Sequence, residues 1–180
     1  MLKKILAVLA VIIVAFVAFV ATRPSEFRVT RTDVISAAPS AVFSQVNDLH
    51  KWKEWSPWAK LDPEAKETFE GPSEGVGARM HWTGNNQVGT GSMTITESEP
   101  SSLIMMKLDF LKPFKATNRA EFLFRPEGNQ TIVTWSMFGE SNFIGKAMSL
   151  FIDCEKMVGS QFEKGLVQLK TVVEAQPAPV

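Results

Sequence analysis

The chain has 180 residues, 45% of them hydrophobic, with 19 basic and 19 acidic side chains and no formal net charge. That length fits one domain beyond any targeting segment, and the balanced charge excludes a basic field for nucleic acid. One cysteine, Cys154, forms no internal disulfide, so the redox compartment is not readable.

Lys3 and Lys4 precede an unbroken apolar run from Ile5 to Ala21. As a helix it spans roughly 25 Å, close to a hydrocarbon core of about 30 Å. Residues 1–22 are expected to be a transmembrane anchor. The rival reading is a cleaved signal peptide. Cleavage requires small residues at two positions before the cut, and Phe19, Phe16 and Ile13 stand in the way after Ala21, Ala18 and Ala15. Lys3 and Lys4 favour a cytoplasmic N-terminus and a domain on the non-cytoplasmic side, although Arg23, Arg28 and Arg31 follow the span. Residues 23–26 form a short linker, so the domain over 27–174 sits near the bilayer. Residues 175–180 (AQPAPV) are expected to be a disordered tail.

Phe27–Ile35 reads as a strand. Pro39 opens a helix with Ala41, Val42, Phe43 and Val46 on its apolar side, and a second short helix is expected over Leu49–Trp55. Extended segments punctuated by glycine follow near Glu67–Glu70, Ala78–Thr83, Gly89–Ser98, Leu103–Phe110, Lys115–Arg125 and Thr131–Phe138. Apolar residues at steps of three and four, among them Ile144, Phe151, Val158, Phe162, Leu166 and Leu169, predict one long helix from Phe143 to Val173. Strand residues alternate: Met80 and Trp82 oppose His81, Met106 and Leu108 oppose Lys107, and Ala120 and Phe122 oppose Glu121. Such a sheet has one dry and one wet face. The fold class is α+β: a curved seven-stranded antiparallel sheet around a long C-terminal helix, with an N-terminal transmembrane helix.

The pieces Val34–Trp58, Gly75–Gly84, Gly89–Pro100, Thr131–Met137 and Gly165–Glu174, in their spacing, resemble the START-like SRPBCC superfamily, in its polyketide cyclase/dehydrase-like branch. The resemblance covers Phe27 to Glu174. It implies a helix-grip fold with an apolar cavity for lipids, sterols, polyketides or similar ligands, and a strand on which Val133, Trp135 and Met137 face that cavity. It implies no activity.

Candidate chemistry is sparse. Gly71–Gly75 matches a G-x-S-x-G pattern around Ser73, but Pro72 and Gly77 make it a turn rather than a nucleophile elbow. His50 and His81 lack metal-ligand partners at useful spacing, so no metal, cofactor or catalytic residue is assigned. Trp52, Trp55 and Trp58 form either a local core pinning the short helices, or a cavity rim or bilayer-touching edge. Glu155 on the long helix and Asn118 on the sheet are polar residues in apolar stripes, each either satisfied or exposed, or aimed at a ligand's polar end. The expected ligand-binding set is Met80, Trp82, Met106, Asn118, Phe122, Trp135, Met137, Phe151 and Glu155. The expected function is membrane-anchored binding of an apolar or amphipathic small molecule or lipid. The alternatives are a cyclase- or dehydrase-like enzyme in the same cavity, or an interaction domain whose cavity is filled.

Overall fold

A computed structural model describes residues 1–151 and 153–176. Helix α1 (Leu2–Ala21, 20 residues) is long and apolar enough to cross a membrane. Strand β1 (Glu26–Ile35) follows, then α2 (Pro39–Asn47), a 3-10 turn (Leu49–Lys51), α3 (Trp52–Trp55) and α4 (Pro57–Leu61). Six consecutive strands, β2 (Lys66–Glu70), β3 (Arg79–Thr83), β4 (Thr90–Glu99), β5 (Leu103–Lys112), β6 (Ala116–Glu127) and β7 (Gln130–Glu140), lead to α5 (Phe143–Met148) and α6 (Cys154–Glu174). All seven strands form one antiparallel sheet in the order β1-β7-β6-β5-β4-β3-β2. This is the α+β helix-grip arrangement, with α6 and the short helices closing the dry face.

Two local readings needed correction. The segment Leu49–Trp55 is not one helix; Pro57 also starts a further helix, α4, because its fixed φ suits the first helical position. The long C-terminal helix is interrupted: α5 ends at Met148 and α6 begins at Cys154. Asn142 caps α5 through Gly145 N–H (2.9 Å), and Asp153 caps α6 through Lys156 N–H (2.9 Å). A new N-cap satisfies amide donors that a continuous helix would engage differently, so the chain restarts there. Of the tail 175–180, residues 177–180 lie outside the described residues.

The core forms around Trp135. Its ring stacks on Phe162 of α6 (centroids 4.0 Å apart, planes at 11°) and on Phe122 of β6 (4.8 Å, 27°). Trp52, Trp55 and Trp58 meet it edge-on at 6.1, 5.7 and 5.8 Å, the geometry that aromatic quadrupoles favour. The indoles of Trp52 and Trp55 also donate to the carbonyls of Val46 and Gln45 near the end of α2 (2.9 and 3.3 Å). These bonds satisfy acceptors that a helix C-terminus leaves open.

Helix α6 is fastened along β1. At its start, Arg31 lies across Gly159, where any side chain would overlap the guanidinium, and pairs with Glu155 (2.7 Å) and Glu163 (2.6 Å). At its far end Lys170 donates to Val34 O (2.8 Å) and Glu174 accepts from Ser36 N–H (2.8 Å). The hydrogen bonds to Glu155 and Glu163 push the Arg31 pKa above its ordinary value.

Candidate functional site

Cross-strand register assembles one wall of a cavity on the dry face. Met80 lies opposite Met93, and Met93 opposite Leu108. In the adjacent row Met106 lies opposite Ala120, and Ala120 opposite Met137. Small Ala120 between two methionines leaves room. Trp52, Trp58, Val158 and Phe162 close the opposite side, and the space enclosed is about 200 Å³. Four of the lining residues are methionines, whose unbranched thioethers adapt to irregular shapes.

Polar groups on the wall are few. Ser56 is buried and stands at the N-cap of α4, yet its hydroxyl does not cap the helix. Glu67 reaches the wall from β2. The Trp82 indole is engaged with Val88 O (3.3 Å). Trp135, only 2% exposed, has its indole N–H buried without a hydrogen-bond partner among the described residues. A buried unmet donor costs roughly 1–3 kcal/mol, a cost the fold carries at Trp135 Nε1.

Of the expected ligand-binding residues, the structure brings Met80, Trp82, Met106, Trp135 and Met137 to this cavity. Phe122 is fully buried behind Trp135 and does not line the space. Asn118 packs over Gly139, whose missing side chain makes the room, and lies outside the cavity wall. Phe151 is 81% exposed between α5 and α6. It projects there because the break in the helix takes it off the stripe that continues through Phe162. The Glu155 side chain is 60% exposed and faces Arg31, not the cavity, because α6 begins one residue earlier and turns its first carboxylate to β1. Ser56, Glu67, Val88 and Trp58 were not in the expected set. The aromatic grouping pointed to Trp58; no local pattern marked Ser56, Glu67 or Val88.

On the wet face, Lys107 Nζ lies 2.8 Å from Asp109, and Thr117 Oγ1 donates to the same carboxylate (2.7 Å). Lys107 holds the Asp109 carboxyl below its ordinary 3.8 against the opposing effect of partial burial.

Solved structures share this architecture. A protein from Chromobacterium violaceum is 16% identical with a TM-score of 0.60, over 86% of this chain and 100% of that one. One from Mesorhizobium loti is 13% identical with a TM-score of 0.62, over 84% and 99%. The Aha1 dimer from Colwellia psychrerythraea is 15% identical with a TM-score of 0.58, over 83% and 97%. Likeness at such identity establishes the fold alone. No curated protein matches the sequence. The family model described as polyketide cyclase / dehydrase and lipid transport matches residues 26–174, nearly the whole of the folded domain, and the chain belongs to that family.

Proposed function

We propose that this protein is a bilayer-anchored domain that binds one small apolar or amphipathic molecule, or a lipid chain, between its sheet and α6. The observation that carries the reading is the cavity wall: methionine and aromatic side chains, with Ser56 and Glu67 as the few polar residues among them. Its volume of about 200 Å³ is below the roughly 300–1,000 Å³ of drug-sized pockets. That fits a short ligand or one inserted segment of a longer one. The apolar body would be desolvated by the methionines, and a single oxygen would accept from Ser56.

Helix α1 supplies the anchor, and charge supports a domain on the non-cytoplasmic side. Arg28 and Arg31, which follow the span, are paired with Glu121 (3.1 Å) and with Glu155 and Glu163. Lys3 and Lys4 at the start of the span outnumber Arg23 at its immediate end, which biases orientation the same way. A second reading, an enzyme acting on a hydrophobic substrate, is favoured by Ser56 and Glu67 facing one cavity.

The test is native mass spectrometry of the full chain released from detergent, beside an Ala120→Phe variant that fills the space between Met106 and Met137. An apolar adduct on the wild type and none on the variant is the expected result. No adduct on either, with no uptake of a fluorescent fatty acid, would refute ligand binding.

A further inference from the structure

Register places one end of the sheet at the point where the chain leaves α1. Glu26 pairs with Glu140, Asn118 with Gly139, Ala116 with Phe110, Lys112 with Thr90, and Thr83 with both Thr90 and Lys66. The β5–β6 hairpin tip and α5 therefore lie at this end. The opposite end carries the β6–β7 turn at Gly128–Asn129.

Four linker residues separate Ala21 from Glu26 and reach at most about 14 Å. They are not free to extend away, because Ser141 N–H, just before α5, donates to Ser25 O (2.7 Å). Helix α5 packs against α1, and Val20 is completely buried. If α1 spans a bilayer, α5 must then lie at its surface.

This end presents large apolar side chains to solvent. Leu111 and Phe114 are exposed on the hairpin, Phe143 and Ile144 on α5, and Phe151 just beyond it. Lys112 and Lys115 each lie next to one of the hairpin pair and Lys146 follows the α5 pair, with no carboxylate in residues 111–115 or 143–151. Apolar side chains that enter acyl chains, beside lysines that reach phosphates, are what an interfacial segment requires. Glu26 and Glu140 at the strand ends set the depth, since they stay in headgroup water.

We infer that the β5–β6 hairpin and α5 together dock on the lipid bilayer, holding the domain against the membrane with the Trp82–Phe110 end of its cavity toward the lipid. The inference rests on α1 being the anchor. Trp82 and Phe110 meet edge-on (5.8 Å) at the ends of β3 and β5, on the same side as the hairpin tip.

The experiment uses the full chain in a Cys154→Ser background, with single cysteines replacing Leu111, Phe114 or Ile144. Val11 in α1 and Asn129 at the opposite end serve as references. Each carries an environment-sensitive fluorophore in vesicles of phosphatidylcholine and phosphatidylglycerol containing acyl-chain nitroxide quenchers. Quenching at Leu111, Phe114 and Ile144 comparable with that at Val11, and none at Asn129, is the expected result. Quenching at Val11 alone would overturn the docking and leave the anchor intact. No quenching at Val11 would overturn both. Charge reversal in Lys112→Glu/Lys115→Glu is expected to lower hairpin quenching; unchanged quenching would exclude the lysines from the contact.

Discussion

The contact between α6 and the sheet can be tested at Gly165. In an exposed helix interior, Gly→Ala stabilises by about 1 kcal/mol. At this position a Cβ would stand 2.7 Å from Trp135 Cζ3 and 3.1 Å from Pro57 Cδ. Trp135 cannot swing aside, because it is held between Phe122 and Phe162 with three further indoles at its edges. Overpacking of this kind costs about 1–3 kcal/mol. Taking about 2 kcal/mol from that range, less the propensity gain, Gly165→Ala should destabilise by about 1 kcal/mol. In a Trp135→Phe background the smaller ring withdraws from the new methyl group while the Pro57 contact stays, so the same substitution should be close to neutral, about 0 kcal/mol. The coupling is then about 1 kcal/mol, above the error of a double-mutant cycle. Urea denaturation of the full chain in detergent, followed by far-ultraviolet circular dichroism, reads all four midpoints. Equal stabilisation in both backgrounds would refute the packing of α6 on Trp135, and with it the enclosed cavity.

Trp135→Ala should cost about 3–5 kcal/mol by the same assay, whereas Trp135→Phe keeps the stack on Phe162, removes the unmet donor and should cost far less. Glu155→Ala removes one exposed partner of Arg31 and leaves Glu163, so the urea midpoint should hardly move and the mass spectrum should match that of the wild type. The Asp109 carboxyl has a lowered pKa in the folded state, so its contribution is present above the ordinary 3.8 and lost as pH falls through the lower folded value. Between about pH 6 and about pH 3 the wild type should therefore lose more stability than Asp109→Asn, as compared by urea midpoints.

The sheet was legible because one of its faces is dry. Alternation in β3, β5 and β6 identified Met80, Met106 and Ala120 as inward, and all three line the cavity. Helical spacing likewise found Val158 and Phe162. The same spacing misled at Phe151 and Glu155: apolar periodicity continues across Asp153, while the cap that restarts the helix is a single side-chain hydrogen bond. Arg31 was illegible as a fastening because sequence does not say which strand the C-terminal helix lies along, or that Gly159 makes room for a guanidinium. Ser56 and Glu67 reach the wall from elements distant in sequence, and no local pattern records that meeting. Nor does composition fix the volume of a hollow, which depends on which large side chains turn into it.

The position of the cavity near the hairpin end would change the thermodynamic reference for any ligand entering it from the bilayer. A molecule taken from water gains about 25 cal/mol for each Å² of apolar surface it hides. One that slides out of acyl chains was already dry, and most of that gain cancels, as it does for helices associating within lipid. Discrimination among candidates would then fall to shape against Met106, Ala120 and Met137 and to one acceptor placed near Ser56. Affinities measured against aqueous ligand would rank compounds by greasiness; competition inside the bilayer would rank them by fit.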